Sequence, residues 1–194
     1  MIKKQIGKNY SLNNASGKRN KQDFYQTPYS VTRKFLNLED FDYNLTFCEP
    51  ACGKGAIVKV LQENTKNIIA YDIEKDFFKE TNQYDYIITN PPYSKANKFI
   101  KKAKQVATKK FAMLLPLSYL YGKTRYDEIW TDNNYGLFRI YVLTRSPILT
   151  DTVRDDGKYK TGMLVLAWFV FKKDYDLAPL IYWIDNNDDV LRKR

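Results

Sequence analysis

Short apolar runs alternate with helical patterns along most of the 194-residue chain, and this alternation restricts its fold more than any other feature. Apolar residues recur at helical spacing in 29–38, 56–62 and 96–108, whereas the runs at 45–49, 68–71, 84–89, 111–116, 140–144 and 163–171 have the length of strands. Strands that alternate with helices predict an α/β domain with a largely parallel sheet. No repeat or linker divides the chain, so we expect a single domain over residues 23–194.

Unusual sequences follow the first three of these strands. A Gly-rich turn occupies residues 49–55, Asp72 follows the second strand, and an Asn-Pro-Pro-Tyr motif occupies residues 90–93. In open α/β sheets, ligands bind at the carboxyl ends of the strands. The sequence therefore predicts that the three segments surround one ligand.

The Asn-Pro-Pro-Tyr motif suits the recognition of a planar amino group. Two successive prolines fix the backbone and remove two N–H donors, which leaves the amide oxygen of Asn90 and the carbonyl of Pro91 as converging acceptors. Hydrogen bonds to both would draw the nitrogen lone pair out of ring conjugation and prepare it for an in-line displacement. No strong base is then required, which fits a chain without His. Tyr93 offers a face for a flipped base. The alternative is a turn that merely ends the strand.

The Gly-rich turn and Asp72 are less specific signals. Glycines let the backbone turn tightly and approach a ligand, but this segment matches neither the Walker nor the dinucleotide-binding pattern. Taken alone, a structural turn explains Gly53 and Gly55, and a helix cap or turn explains Asp72. With a nucleoside cofactor, Asp72 would accept hydrogen bonds from the two ribose hydroxyls.

Together, these segments resemble the amino-group DNA methyltransferases with the Asn-Pro-Pro-Tyr motif, especially the small adenine-specific enzymes of phages and bacteria. The resemblance covers roughly residues 23–185. It implies an α/β, Rossmann-like class I S-adenosylmethionine-dependent methyltransferase fold, with a mostly parallel seven-stranded sheet and helices on both faces. It also implies S-adenosylmethionine as the cofactor and methylation of the 6-amino group of adenine in DNA.

The same resemblance assigns the site residues. The cofactor would contact an N-terminal segment, the Gly-rich turn that cradles its methionine part, the acid for its ribose, and a pair that holds its adenine ring. In that order they are Tyr25, Gln26, Thr27 and Pro28; Glu49, Pro50, Ala51, Gly53 and Gly55; Asp72; and Asp76 with Phe77. The catalytic residues would be Asn90, Pro91, Pro92 and Tyr93.

Two departures from the family pattern affect these assignments. Only residues 74–84 separate the second and third strands, so a helix usual at that place is shortened or lost, and Glu74 competes with Asp76 for the cofactor. No long segment for target recognition follows Pro147. This implies loose specificity, recognition by loops and a basic arm, or a partner that supplies recognition.

The charge distribution favours a nucleic-acid substrate. The net charge is +10, and residues 1–22 carry six Lys or Arg and no acid, which predicts a flexible basic arm. Seven further lysines lie in residues 95–110; most are expected on a solvated helix face, with Lys95 and Lys98 nearest to phosphate. The alternative is that the charge only maintains solubility.

Other features exclude several classes of protein. The longest apolar run is strand-sized, and the N-terminus lacks the apolar stretch of a secretory signal, so we expect a cytoplasmic protein without a membrane span. Only Cys48 and Cys52 are present, with no His, so we expect no metal site.

Four alternatives share part of this pattern. A glutamine amide in a protein and adenine in RNA present similar planar amino groups, and cytosine methylases usually carry Ser where Asn90 stands. A catalytically degenerate nucleic-acid-binding protein is the fourth. Residues 25–28, the basic arm and the absence of an N-terminal helical domain favour DNA.

Overall fold

The structure is a computed structural model that describes residues 27–72, 74–132, 134–145 and 164–186. The predicted basic arm, Tyr25 and Gln26 lie outside the described residues, as does most of the segment after Arg145.

Seven strands and four α-helices make up the described fold. The strands are β1 (Phe47–Glu49), β2 (Ile68–Ala70), β3 (Tyr84–Thr89), β4 (Ala107–Pro116), β5 (Tyr135–Leu143), β6 (Leu166–Lys173) and β7 (Leu180–Ile184). The α-helices are α1 (Tyr29–Leu38), α2 (Ala56–Leu61), α3 (Ala96–Val106) and the single turn α4 (Lys123–Arg125). Short 3₁₀ turns occupy Phe77–Lys79, Tyr93–Lys95 and Leu117–Leu120, and a π-helical turn, Tyr126–Trp130, follows α4.

The strands form one mostly parallel sheet in the order β2-β1-β3-β4-β6-β5-β7. Only β6 runs antiparallel to its neighbours, β4 and β5. The pairs β1–β2, β1–β3, β3–β4 and β5–β7 are parallel. The predicted α/β class and mostly parallel seven-stranded sheet are confirmed.

Helices cover both faces of this sheet, as predicted. On one face, α1 inserts Phe35, whose ring stacks on Trp168 of β6 with centroids 4.5 Å apart, and α2 buries Val60 and Leu61 in the same cluster. On the other face, α3 buries Phe99, Ile100, Ala103 and Val106, an apolar stripe at helical spacing. Both layers therefore bury apolar helix faces against a common sheet.

Several boundaries differ from the predicted ones. β3 matches its predicted run, but β4 begins at Ala107, which pairs with Tyr84, and Lys110 continues the pairing despite its charge. β7 is an addition to the six strands predicted by position. Between β2 and β3 there is only the one-turn helix Phe77–Lys79, which agrees with the predicted loss of a longer helix. Within the described ranges, every helix is too short or too polar to cross a bilayer.

Candidate active site

The sheet register brings the three unusual segments to the same end of the sheet, where the carboxyl ends of the parallel strands lie. Cys48 of β1 lies opposite Ile69 of β2 and Ile87 of β3, and all three strands run parallel. Glu49 therefore ends β1 level with the end of β2, while β3 continues to Thr89. The Gly-rich turn, Asp72 and the Asn-Pro-Pro-Tyr motif all leave the sheet at this carboxyl edge.

Hydrogen bonds fix the Gly-rich turn against the end of β2. Tyr71 N donates to Glu49 O at 3.1 Å, and Cys52 N donates to Tyr71 O at 3.1 Å. Gly55 precedes α2 with a φ of 76°, in the left-handed region that favours glycine, and a Cβ added there would meet nothing within 4 Å. The turn thus has a fixed backbone beside open space.

Glu49 carries the least compensated buried charge of the site. Its side chain is fully buried, and Oε1 accepts a hydrogen bond from Ala51 N at 3.0 Å. Within the described residues, Oε2 makes no hydrogen bond of good geometry, and the buried Thr89 hydroxyl lies near this carboxyl without forming a well-aligned bond to it. Burial raises the pKa of Glu49 to about 8, and the Asp72 carboxyl adds to the rise, against the opposing effects of Thr89 and Ala51. No Lys or Arg of the described residues forms an ion pair with this carboxyl.

The segment after β2 uses its acids in local turns. Asp72 is half-buried, and its backbone N donates to Glu74 Oε1 at 2.8 Å. Asp76 caps the following 3₁₀ turn by accepting from Phe78 N at 3.0 Å. Glu74 and Asp76 therefore both shape this turn, which leaves their predicted competition for the cofactor open.

The two phenylalanines of this turn have different surroundings. Phe77 is 3% exposed and packs against Phe99, with ring centroids 5.2 Å apart. Little of this ring is exposed for stacking, and the predicted contact of Phe77 with a cofactor adenine stays a prediction. Phe78 is half-buried, and its ring also packs against Phe99, with centroids 5.2 Å apart in an edge-to-face arrangement. As the more exposed of the two rings, Phe78 is a second candidate that the sequence analysis did not name, although the Phe-Phe pair was visible there.

The buried Glu80, which follows this turn, links it to the neighbouring strands. Glu80 accepts hydrogen bonds from Lys75 Nζ at 2.5 Å, Tyr71 OH at 3.1 Å and Tyr84 OH at 2.9 Å. Burial opposes its ionisation, but Lys75 and the other donors lower the pKa of Glu80 to about 2. The turn that follows Asp72 is thus anchored to β2 and β3.

The N-terminal segment contacts the Asn-Pro-Pro-Tyr motif directly. Asn90 Nδ2 donates to Thr27 Oγ1 at 3.0 Å, although 63 positions separate the two residues. Thr27 is only 3% exposed, and Pro28 follows it as the residue preceding α1. Because the hydrogen bond to Thr27 uses the amide nitrogen, the amide oxygen of Asn90 is not the atom that meets Thr27. Thr27 was predicted to contact the cofactor, and this stays a prediction; the structure shows that its hydroxyl is bonded to the motif.

The rest of the motif is firmly packed. Pro91 is buried, Pro92 precedes the 3₁₀ turn, and the half-buried ring of Tyr93 packs against the clusters on both faces of the sheet. The described residues contain no group of three or more His, Cys, Asp or Glu side chains that could hold a metal ion.

No protein-family model and no curated protein sequence matches this chain. Solved structures do match. A modification subunit of a candidate type I restriction enzyme from Vibrio vulnificus YJ016 aligns over 84% of this chain and 48% of its own, with 15% identity and a TM-score of 0.60. A candidate class I S-adenosylmethionine-dependent methyltransferase from Listeria monocytogenes aligns over 85% of this chain and 68% of its own, with 12% identity and a TM-score of 0.58. The fold is that of the class I S-adenosylmethionine-dependent methyltransferases.

A third match differs in its substrate. A candidate RNA methyltransferase from Pyrococcus horikoshii aligns over 79% of this chain and 88% of its own, with 14% identity and a TM-score of 0.54. This chain spans about half the length of the Vibrio subunit. Because the sequence identities are 12–15%, these matches show a shared fold and leave the substrate open.

Proposed function

We propose that this chain is an S-adenosylmethionine-dependent methyltransferase that modifies the 6-amino group of adenine in DNA. The observation that carries the proposal is the meeting of three segments at one sheet edge, with Asn90 bonded to Thr27. The methyltransferase fold supports the reaction class, and the net charge of +10 supports a polyanionic substrate.

The residues at this edge fit the proposed cofactor. S-adenosylmethionine carries an ammonium group and a ribose diol, and the buried Glu49 carboxyl requires a cation, which the ammonium would supply. The open space beside Gly55 leaves room for the methionine part. Asp72, half-exposed at the end of β2, would accept the ribose hydroxyls, with Pro50, Ala51 and Gly53 completing the cradle.

In the proposed reaction, the motif prepares the acceptor. The amide oxygen of Asn90 and the carbonyl of Pro91 would accept the two amino hydrogens of adenine and turn its lone pair toward the donor. The hydrogen bond from Asn90 Nδ2 to Thr27 would hold the Asn90 amide in the orientation that this requires. The face of Tyr93 would position the flipped base, and Pro92 keeps the turn rigid. When bound, the cofactor supplies a methyl group on a sulfonium.

A labelled methyl donor tests this proposal directly. The protein would be incubated with the donor and with DNA, RNA or a protein mixture, and the modified group identified by mass spectrometry. We expect N6-methyladenine in DNA. Methylation confined to RNA or to a glutamine amide would contradict the proposed substrate while leaving the chemistry in place.

A matched pair of variants tests the role of the motif. Asn90→Ala removes one of the two acceptors and should lower turnover by about 10²–10³-fold with little change in cofactor affinity. Asn64→Ala alters an exposed asparagine beyond α2 and should behave like the wild type. Retained turnover in Asn90→Ala would refute the assignment.

A further inference from the structure

A long stretch of the chain beyond the motif is basic without acids. Residues 93–126 contain eight Lys, one Arg and no Asp or Glu. The structure distinguishes two groups among five of these lysines. Lys101, Lys104 and Lys110 pair with Glu128, Asp132 and Glu39 from elsewhere in the chain. Lys95 and Lys98 are exposed, and no acid of the described residues pairs with them.

Two strongly exposed tyrosines follow β4 at the same edge of the sheet. Tyr121 is 83% exposed and Tyr126 is 59% exposed. Their segment contacts the start of α3, because Tyr119 OH donates to Asn97 Oδ1. A second link joins it to the same helix through the ion pair between Lys101 and Glu128, at 2.8 Å. These tyrosines therefore adjoin the helix that begins directly after the Asn-Pro-Pro-Tyr motif.

We call this region the basic aromatic surface; it consists of Lys95, Lys98, Tyr121, Lys123, Arg125 and Tyr126. Lys123 is 81% exposed in its side chain and forms only a surface pair with Asp127, which contributes little to stability. Its ammonium lies 5.8 Å from the ring centroid of Tyr126. The exposed ring of Tyr126 thus has a cation beside it.

The backbone that presents Tyr121 is held in place. Arg125 Nε donates to the Tyr121 carbonyl at 2.8 Å, and the guanidinium lies over the Tyr119 ring at 4.6 Å. Gly122 has a φ of 126°, and a Cβ there would come within 3.0 Å of Arg125 Nη2. A glycine at this position therefore permits the Arg125 contacts that fix the loop while the ring of Tyr121 remains exposed.

We propose that the basic aromatic surface binds an unpaired nucleic-acid strand that flanks the target base. Tyr121 and Tyr126 stack on bases, and Lys95 and Lys98 contact phosphates. An aromatic face accepts any base, and cations without acidic partners favour a polyanion over a protein surface of mixed charge. This inference rests on the proposed function, since it places the strand beside the acceptor motif.

Equilibrium binding to labelled strands tests the surface. The probes are a single-stranded DNA oligonucleotide, its duplex, the same sequence in RNA, and an abasic strand with the same phosphates. We expect the double variant Tyr121→Ala/Tyr126→Ala to bind the two single strands at least about tenfold more weakly, because stacking on aromatic rings strengthens strand binding. Its affinity for the abasic strand should stay within about twofold of the wild type.

Three companion variants separate stacking from other effects. Tyr121→Phe/Tyr126→Phe keeps both rings and should bind like the wild type. Trp183→Ala removes a ring that is 66% exposed on β7, at the far edge of the sheet, and should leave binding unchanged. Lys95→Gln/Lys98→Gln should reduce the slope of log affinity against log salt by about 1.4 on a single strand.

Distinct results would overturn the proposal. Unchanged binding of Tyr121→Ala/Tyr126→Ala to single strands, or an equal loss on the abasic strand, would exclude stacking. Protection of both tyrosines by self-association would identify the surface as a contact between copies. The methyl-transfer assay tests the proposed function separately. If the wild type methylates adenine and Tyr121→Ala/Tyr126→Ala binds strands normally, only the role of the basic aromatic surface is refuted. If Tyr121→Ala/Tyr126→Ala loses strand binding but the wild type methylates no adenine, the proposed function is refuted while stacking on the surface stands.

Discussion

Glu39 and Glu49 are two buried glutamates at opposite ends of the sheet, and their surroundings differ sharply. The Glu39 carboxylate accepts from Lys110 at 2.7 Å, Arg139 at 3.2 Å and Tyr141 OH at 2.8 Å, near the amino end of β4. Glu49, at the carboxyl end of β1, accepts from one backbone N–H and has no cation among the described residues.

We infer from this difference that Glu39 belongs to a structural network and Glu49 to a ligand-binding site. At the amino end, the chain supplies two cations and a hydroxyl for one buried carboxyl, so nothing from outside is needed. At the carboxyl end, burial without a cation raises the pKa of Glu49 to about 8. A buried acid with a perturbed pKa is a candidate for a functional site, and here we infer a site that binds a cation. We therefore expect changes at Glu39 to affect folding and changes at Glu49 to affect ligand binding.

The largest effect on stability is expected at Glu39. Glu39→Gln leaves Lys110 and Arg139 without their counterion and should lower the free energy of unfolding by about 3 kcal/mol. For a chain of this length that corresponds to a drop in Tm of about 10 °C. Urea and thermal unfolding measure it. Glu63→Gln, which breaks the exposed pair with Arg33, is the control and should change the free energy of unfolding far less. Equal losses in both variants would contradict the contrast.

A smaller effect, on binding instead of folding, is expected at Glu49. Glu49→Gln removes the charge offered to the cofactor ammonium and should weaken S-adenosylmethionine binding by about 10–100-fold in calorimetry. Stability should change in the opposite direction to Glu39→Gln. The raised pKa of Glu49 means that the folded state holds a proton which the unfolded state releases, so wild-type stability falls as pH rises from about 4.5 to about 8. The variant lacks this loss and should be the more stable form at pH 8.

The pH dependence of binding gives the signature of this carboxyl. Binding needs ionised Glu49, with a pKa of about 8, and a protonated ligand ammonium, whose pKa is roughly 7.7–8.0. Affinity for S-adenosylmethionine should therefore rise by roughly tenfold or more from pH 6 to a maximum near pH 8 and then fall. 5′-Methylthioadenosine, which lacks the ammonium, should show no such rise. A profile that is the same in Glu49→Gln would exclude Glu49 as the partner of the ammonium.

The sequence predicted the carboxyl-edge arrangement better than its details. The strand that precedes the motif, β3, has its predicted bounds because aromatic and branched residues dominate its run despite Asp85, and Asn90 and two prolines follow its end. β4 and β5 begin earlier than predicted, since Lys110 and Arg139 interrupt the apolar pattern while their backbones continue the pairing. Charged residues whose partners lie far along the chain, such as Glu39, cannot be recognised from local periodicity.

Within the site, the sequence identified segments but not contacts. The missing cation at Glu49 and the hydrogen bond between Thr27 and Asn90 depend on the register of β1 and β3 and on the path of the N-terminal segment. The choice between Phe77 and Phe78 depends on the rotation of a single 3₁₀ turn. These are products of tertiary packing, which spacing along the chain does not encode.

The smallest expected effect concerns Thr27, at the carboxyl end of the sheet. It tests whether a single hydrogen bond there serves catalysis, cofactor binding or folding. Thr27→Val removes the acceptor of the Asn90 Nδ2 hydrogen while nearly conserving the volume of a side chain that is 3% exposed. One such hydrogen bond contributes about 1 kcal/mol, so a role in orienting Asn90 predicts a fall of about five- to tenfold in the single-turnover rate. Cofactor affinity should then be unchanged, and Thr27→Ser, which keeps the hydroxyl, should recover most of the rate. If Thr27 contacts the cofactor instead, the Kd for S-adenosylmethionine rises in Thr27→Val while the rate at saturation stays near that of the wild type. A loss of stability like that of Glu39→Gln, with neither kinetic change, would assign Thr27 to the fold alone.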